Sequence, residues 1–368
     1  MIIYKSNMAG PYHIENGLPC QDSYAVLQSE NFCVLAVTDG LGSELYSDIG
    51  ASEAASSAVN YCSENLSVNM AFEDIKKVMN NALVCAYKAV LERAACDNND
   101  PDEYDTTMCL AVYDGEHLYY AQSGDSGLIA LLQNGEYYRV TSQQRDDEGR
   151  VYPLCWGPDK WEFGCVKSPV SAFMLMTDGV FEQMCPPIMR NRDIDINVPL
   201  ARKFMDHFNA TENDIFDIEK WAHEYLEHYP RYLLDDDKTI LVLINTERKP
   251  KEMDEAYYAI PDWESMKTEA LEKLYNNSEE PDNQDGERID SNSTSIESEM
   301  YISKDDETLT DKKPISKNRI EAQNSVANNS IGEKISDAQN QYDSQKTGDT
   351  ETAHSSAIND VKKNDCST

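Results

Sequence analysis

Positive charge is scarce in this chain. Its 368 residues carry 32 Lys and Arg against 67 Asp and Glu, which gives a formal net charge of -35. A surface of that sign repels nucleic acid and anionic membranes, so we expect neither as a partner. The sequence also lacks an apolar run of membrane-spanning length, and its first residues lack the apolar stretch of a signal peptide. We therefore expect a soluble, cytoplasmic protein.

The usual zinc-binding patterns are absent as well. The 10 cysteines include no C-x-x-C pair, and several lie inside apolar runs, which is typical of reduced and buried thiols. The 6 histidines form no cluster. Any metal would therefore have to be held by oxygen ligands, which suit magnesium or manganese rather than zinc.

Two apolar runs end in the same tripeptide. Residues 34–37 lead into Thr-Asp-Gly at Asp39, and residues 173–176 lead into Thr-Asp-Gly at Asp178. A third acidic group, which contains Asp236, precedes the last apolar run. If these strands lie in facing sheets, their carboxylates meet in one place and require cations to offset their repulsion. The glycine that follows each Asp allows the backbone to approach closely whatever the carboxylate holds.

Strands and helices come in blocks along the chain. Asp114-Gly115 and Asn134-Gly135 are hairpin signals, and the runs around them predict one continuous meander. The blocks predict an α+β fold in which two antiparallel sheets form a central sandwich flanked by helices. We expect strands near 2–6, 24–28, 32–38, 108–113, 118–122, 128–132, 137–140, 173–176 and 239–244, and helices near 46–65, 71–93, 198–208 and 215–226.

The composition changes near residue 277. Residues 1–250 are expected to form the folded domain, 251–277 a linker with a short amphipathic helix, and 278–368 a disordered acidic and polar tail. The tail composition buries too little apolar surface to offset the entropy that ordering would cost. Two roles stay open for each of the last two segments. The helix either packs on the domain or binds a partner, and the tail is either a solvating tether or a docking and regulatory segment.

Six short motifs follow one another in a fixed order between about residues 8 and 245. They are Cys20-Gln21-Asp22-Ser23, Asp39-Gly40-Leu41-Gly42-Ser43, Asp105-Thr106-Thr107, Gly124-Asp125-Ser126, Asp178-Gly179-Val180-Phe181-Glu182 and Asp236-Asp237-Lys238-Thr239. Each motif alone carries little information, but their order makes the set specific. The set resembles the motifs of the metal-dependent type 2C serine/threonine protein phosphatases, the PPM family, and the segments at 10–13 and 20–22 are most similar to a bacterial branch of the family.

The resemblance implies a centre of two Mn²⁺ or Mg²⁺ ions at one end of the sandwich. Asp39 would bridge both ions, and the Gly40 carbonyl would bind one of them. Asp178 and Asp236 would complete the other, and Asp22 would act through bound water. The catalytic contribution of Asp39, Asp178 and Asp236 would then run through metal-bound water.

A third ion site is implied at Asp125 with Glu182, where Glu replaces the Asp that is usual in the family. Structural roles remain open for three of these carboxylates. Asp125 also fits a turn former, and Asp22 and Asp236 also fit strand-end or turn residues.

The activity implied by the resemblance is hydrolysis of phosphoserine and phosphothreonine by direct attack of a hydroxide that bridges the two ions. No phosphoenzyme is expected, because neither Ser23 nor Ser43 has an obvious base nearby in sequence. The partners implied are a phosphorylated protein substrate and a cognate Ser/Thr kinase, in a signalling role.

Two departures from the family pattern bear on activity. Leu41 stands where many members carry a histidine that protonates the leaving oxygen, and loss of a general acid typically costs about 10² to 10⁴ in rate. Residues 17–20 lack the arginine with which many eukaryotic members grip phosphate. His13 either fills one of these roles or is a solvated or capping residue. The alternative function is therefore a catalytically weak or inactive phosphatase-like protein that binds a phosphoprotein or signalling partner.

The stretch 143–167 occupies the place where family members often carry a mobile flap. It is either a flap that contributes cationic and aromatic contacts to a phosphopeptide or an ordinary long loop or hairpin. Its candidate contact residues are Arg145, Arg150, Trp156, Lys160 and Trp161.

Overall fold

The computed structural model describes residues 1–190 and 192–277. The tail expected to be disordered, 278–368, lies outside the described residues. Along the described chain the α-helices and strands follow one another as β1 (Ile2–Met8), α1 (Pro11–Asn16), β2 (Asp22–Gln28), β3 (Cys33–Asp39), α2 (Ser47–Asn65), α3 (Phe72–Asp97), β4 (Met108–Tyr113), β5 (Leu118–Ser123), β6 (Gly127–Leu132), β7 (Tyr137–Arg139), β8 (Glu162–Val166), β9 (Val170–Met176), α4 (Asp178–Met184), α5 (Val198–Met205), α6 (Ile215–Glu227), β10 (Lys238–Ile244) and α7 (Trp263–Asn277).

Two five-stranded sheets organise these elements. The first sheet has the order β1-β10-β9-β6-β7, and the second has the order β2-β3-β4-β5-β8. Every neighbouring pair of strands is antiparallel. The predicted α+β class with two antiparallel sheets is therefore confirmed.

The core lies in three layers because the central strands are buried on both faces. In β3, Leu35 and Val37 pack against the facing sheet, where they meet Phe173 of β9. Val34 and Ala36 point the other way and pack under α2 and α3. The outer face of the first sheet is covered by α4, α5 and α6. The alternation of side chains along one apolar strand thus fills two separate layers.

The two helices α2 and α3 follow the predicted pattern closely. In α3, Ile75, Met79, Ala82 and Val90 are buried along one face, as their helical spacing predicts. The buried face of α2 consists mostly of small residues, which permits a close approach to the neighbouring chain. At Gly50 of α2 a Cβ would lie 1.9 Å from the Tyr104 carbonyl oxygen, so only glycine fits there.

The predicted continuous meander is wrong. Strands β4 and β5 form a hairpin of the second sheet, whereas β6 and β7 belong to the first sheet. The chain crosses between the sheets at residues 124–126, where Gly124 adopts a φ of 106° that favours glycine. A hydrophobic pattern of period two shows that a strand is buried, but it does not show which sheet the strand joins. The crossing carries Asp125 to the end of the sandwich.

The stretch 143–167 contains more structure than a loop. It includes a short 3-10 helix at Leu154–Trp156 and the edge strand β8, which pairs with β5. Trp161, expected as a possible peptide contact, is instead a core residue with 8% exposure, and its Nε1 donates to the Leu154 carbonyl over 3.2 Å. Trp156 remains exposed.

The segment after residue 250 contacts the sandwich. The Tyr137 N–H of β7 donates to the Tyr257 hydroxyl over 2.8 Å, and the Arg202 guanidinium lies 4.0 Å from the centre of the Tyr258 ring. Helix α7 forms an ion pair with the preceding chain, since Glu269 Oε2 lies 2.9 Å from Arg192 Nη2. The ion pair places α7 against the domain, and the two tyrosine contacts hold the chain that precedes the helix.

Candidate functional site

The acidic residues named from the sequence converge because three strand ends meet. Asp39 ends β3 of the second sheet and pairs in register with Asp22 of β2. Asp178 follows β9 of the first sheet and begins α4. Asp236 precedes β10, the neighbour of β9. Antiparallel pairing within each sheet and packing of the two sheets therefore bring all of these carboxylates to one end of the sandwich.

At that end, Asp39, Asp125 and Asp178 each offer one carboxylate oxygen, and these oxygens all lie within 4.8 Å of one another. They line a cavity of about 170 Å³, and Asp236 and Leu41 lie in its wall. A leucine supplies no donor to this cavity. The structure thus brings together four of the carboxylates that the sequence pointed to, each from a different strand end or loop.

The backbone around Asp39 is tightly held. The Asp39 carbonyl accepts hydrogen bonds from the Thr107 N–H over 2.8 Å and from the Thr106 hydroxyl over 2.9 Å. Gly40 donates its N–H to the Gln21 carbonyl over 3.0 Å. A Cβ on Gly40 would lie 2.7 Å from backbone atoms of Ser47, so glycine is required here by the packing of the first turn of α2.

The electrostatics of the cavity are unfavourable without a cation. Burial raises the pKa of the Asp39 carboxyl well above its ordinary value, and the charges of Asp178 and Asp22 add to the effect. Burial likewise raises the pKa of Asp178 well above its ordinary value, with Asp125 and Asp236 adding to it. A divalent cation among these oxygens would relieve the repulsion and favour the ionised carboxylates.

Asp22 lies beside the cluster but is engaged elsewhere. Its side chain is buried, and its Oδ2 accepts a hydrogen bond from the Thr177 hydroxyl over 2.7 Å. Burial raises the pKa of this carboxyl well above its ordinary value. The hydrogen bond ties the end of β2 to the end of β9, and thus one sheet to the other.

Arg145 is the cation within the cluster. Its Nη2 lies 2.7 Å from Asp125 Oδ2, 3.4 Å from Asp178 Oδ2 and 3.6 Å from Glu182 Oε1. Burial raises the pKa of Asp125, and the charge of Arg145 opposes that effect. Asp125 and Glu182, the pair expected at a third ion site, thus share an arginine. The sequence pointed to Arg145 only as one of several cations in its segment, because no spacing rule links it to residues 20 or more positions away.

The acidic triplet at 235–237 divides into three roles. Asp235 is exposed and pairs with Arg231, with 2.8 Å between Oδ1 and Nε. Asp236 lines the cavity. Asp237 is buried and turns toward the N-terminal segment, where its carboxylate accepts from the backbone N–H groups of Gly10 over 2.7 Å and Gln21 over 2.6 Å.

Asp237 also holds His13, a pairing that the sequence did not indicate. His13 Nδ1 lies 2.6 Å from Asp237 Oδ1, and the imidazole lines the same cavity as Asp39 and Asp178. The two residues are 224 positions apart, so no local pattern could have linked them.

The donor set suits a hard divalent ion. It consists of carboxylates and the Gly40 backbone, with no thiolate. Burial raises the pKa of Asp39 and of Asp178, and the neighbouring carboxylates add to the effect. Oxygen ligands of this kind are preferred by magnesium and manganese. The chemistry that such a cluster permits is binding and activation of a phosphate ester by metal ions.

Comparison with known sequences identifies a family. The sequence profile of the protein phosphatase 2C family matches residues 9–227. No curated protein shows significant sequence similarity to this chain. Among the described residues, no helix combines the length and the apolar character needed to cross a membrane.

Three solved structures illustrate the structural similarity. RsbX in complex with magnesium is 16% identical and has a TM-score of 0.37, with 65% of this chain and 92% of RsbX covered. The catalytic domain of the serine threonine protein phosphatase PstP, in complex with 2 manganese ions, is 15% identical, with 66% and 96% covered and a TM-score of 0.44. The serine/threonine phosphatase Stp1 from Staphylococcus aureus is 12% identical, with 66% and 94% covered and a TM-score of 0.44.

Proposed function

Because this chain belongs to the protein phosphatase 2C family, we propose that it is a metal-dependent phosphatase that hydrolyses phosphoserine and phosphothreonine in a protein substrate. The observation that carries the proposal is the meeting of Asp39 and Asp178. They come from facing sheets, and with Asp125 they present oxygens within 4.8 Å of one another in one cavity. A chain that needed no cation would gain stability by losing one of these carboxylates.

The proposed ligands are carboxylates and one backbone carbonyl at this end of the sandwich, most of which line the cavity. Asp39 would bridge two ions, with the Gly40 carbonyl on one of them and Asp178 and Asp236 on the other. Asp22 would contribute through water. Asp125 and Glu182 would hold a third ion if Arg145 gives up its contacts with them.

When bound, divalent ions supply the positive charge that lowers the pKa of an attacking water and neutralises the phosphoryl oxygens. The residues of the chain hold the ligands in position and add charge near the site. Thr106 and Thr107 fix the Asp39 backbone, so the point from which its carboxylate projects is set before substrate binds. Arg145 adds a positive charge beside Asp125 and Asp178. We propose direct attack of water on phosphorus, without a phosphoenzyme.

The proposed setting is signalling in the cytoplasm, where a Ser/Thr kinase would supply the phosphorylated substrate. We propose a phosphatase domain at 1–250, a linker with a short amphipathic helix at 251–277 and an acidic and polar tail at 278–368. A surface of net charge -35 repels a phosphopeptide at long range, so a substrate with basic residues around its phosphorylated position is favoured.

The test uses the full chain with a phosphothreonine peptide and p-nitrophenyl phosphate, in EDTA, magnesium or manganese. Phosphate release that manganese or magnesium supports and EDTA abolishes is the expected result. A second candidate function rests on Leu41, which removes a proton donor from the cavity. Binding of manganese and of the phosphopeptide without any turnover, in a folded sample, would favour a phosphoprotein-binding role instead.

A further inference from the structure

We propose that His13 is the general acid of this site and protonates the oxygen that leaves with the serine or threonine. This inference rests on the proposed phosphatase function. It addresses the lack of a proton donor at Leu41, which lines the cavity but cannot donate a proton.

His13 is a buried residue of the cavity wall. The residue lies in α1 with only 7% exposure, and it shares the cavity wall with Asp39, Asp178 and Asp236. Because His13 is buried and already lines the cavity, it needs no rearrangement to contact a molecule bound there.

The carboxylate of Asp237 fixes the orientation of the His13 ring. Asp237 has 3% exposure and accepts hydrogen bonds from Gly10 N–H and Gln21 N–H, so its carboxylate is held from two sides. A carboxylate only accepts, so the 2.6 Å contact assigns a proton to His13 Nδ1. Since Nδ1 is engaged by Asp237 and His13 lines the cavity, we infer that Nε2 is the ring nitrogen that meets a bound ligand.

In this pair His13 is the proposed proton donor, and Asp237 is the positioning residue that holds its ring. Asp237 orients the ring through the contact at Nδ1, as carboxylates do for catalytic histidines in general. The other His–Asp pair in the described chain has a longer contact and a more exposed histidine. His117 Nδ1 lies 3.3 Å from Asp114 Oδ2 at the β4–β5 turn, and its side chain is 44% exposed. That turn lies at the far end of β4 from Thr107, which contacts Asp39.

The chemical step balances without a further reactant. The oxygen of water forms a bond to phosphorus, and the bond from phosphorus to the serine or threonine oxygen breaks, leaving its electron pair on that oxygen. The proton on His13 Nε2 moves to this oxygen and gives the free hydroxyl. One proton of the attacking water stays on the phosphate released, and the other returns to His13.

The experiment compares two leaving groups. A serine or threonine alkoxide needs a proton as it leaves, whereas p-nitrophenolate is a stable anion at neutral pH. With manganese present, His13→Gln should lower kcat on a phosphothreonine peptide by about 10² to 10³. The loss should exceed the loss on p-nitrophenyl phosphate by at least about tenfold. His117→Gln, the matched control, should change neither rate.

Asp237→Asn provides a second variant if His13→Gln does not fold. It keeps the shape of the side chain but weakens its hold on the ring, so the same selective loss on the peptide is expected. Equal losses on both substrates, or no loss on either, in a folded variant would overturn the role of His13. A wild-type chain that hydrolyses neither substrate would overturn the proposed function and this inference together, so the two failures are distinguishable.

Discussion

Arg145 and Asp125 form an ion pair inside the acidic cluster, with 2.7 Å between Nη2 and Oδ2. The same nitrogen lies 3.4 Å from Asp178 Oδ2. Arg145 belongs to the stretch between β7 and β8. It neutralises one carboxylate from the crossing between the sheets and one that follows β9. A cation bound at Asp125 must compete with this guanidinium for the same oxygens.

We therefore expect Arg145→Ala to raise the affinity for manganese about fivefold or more, since a unit charge within 4 Å contributes about 1 to 4 kcal/mol at a protein surface. The measurement is calorimetric titration of the metal-free chain. Arg150→Ala is the matched control, because Arg150 lies in the same stretch but pairs with Asp146 and Glu148 outside the cluster. Equal effects of the two variants would show that only net charge matters and that Arg145 does not compete for the site.

Asp39→Asn and Asp178→Asn should each lower turnover by more than about 10²-fold in manganese, because each removes a charge that holds the ions. Without metal, both variants should unfold at a higher temperature than the wild type, since burial and mutual repulsion destabilise the ionised pair. Phosphate release and thermal unfolding in EDTA are the measurements. Asp147→Asn, an exposed carboxylate in the stretch 143–167, should change neither. Substantial activity in either site variant would remove that residue from the metal centre.

The stability of the metal-free chain should depend on pH in a direction set by these raised pKa values. Asp39 and Asp178 hold protons in the folded state at a pH where the unfolded chain has released them. The folded state then binds more protons, so its stability falls as pH rises from the ordinary carboxyl pKa of about 4 toward the raised values. We expect the unfolding temperature in EDTA to rise as pH is lowered from neutral to about 5.

Comparison with Asp39→Asn isolates this effect. Burial lowers the pKa of His207, which acts in the opposite direction below about pH 6.5, but that contribution is common to both proteins and cancels in the difference. The difference in unfolding temperature should shrink as pH falls. Saturating manganese should reverse its sign, because metal binding stabilises the wild type, which keeps the full set of carboxylates, more than the variant. A difference that is constant across pH would contradict the raised carboxyl pKa values.

Gly50→Ala should destabilise the domain by about 1 to 3 kcal/mol, the usual cost of overpacking a tight contact. The added Cβ would meet the Tyr104 carbonyl at 1.9 Å, which is backbone and cannot move aside cheaply. Urea unfolding measures the change. Ser56→Ala, at an exposed position of the same helix, should be neutral or slightly stabilising because alanine favours helix. A Gly50 variant as stable as the wild type would show that α2 can shift from the chain before Thr106.

Limited proteolysis of the full chain should leave a resistant fragment that ends near residue 277 rather than near 250. The contacts of Tyr257 with Tyr137 and of Glu269 with Arg192 hold the intervening chain against the sandwich. Mass spectrometry of the fragment measures its end. A fragment that ends near 250 would favour a free helix at 263–277, available to a partner.

The sequence by itself determined the two-sheet α+β architecture and the residues of the acidic cluster. Apolar runs of strand length predict buried strands, and an Asp-Gly pair at the end of a run places a carboxylate at a sheet end. Both signals are local, so Asp39, Asp178 and the acidic group that contains Asp236 could be named from the sequence. The motif order added Asp22 and Asp125, and it selected Asp236 within its group, through a family resemblance.

Only the tertiary structure decided how these parts are joined. Strands β5 and β6 follow each other yet enter different sheets, because a glycine at 124 permits the crossing and strand periodicity is the same in either sheet. The ion pair of Arg145 with Asp125 and the pairing of His13 with Asp237 were likewise decided by the tertiary structure. Their members come from separate elements that meet only when the sheets pack, and contacts across such separations leave no periodic trace in the sequence.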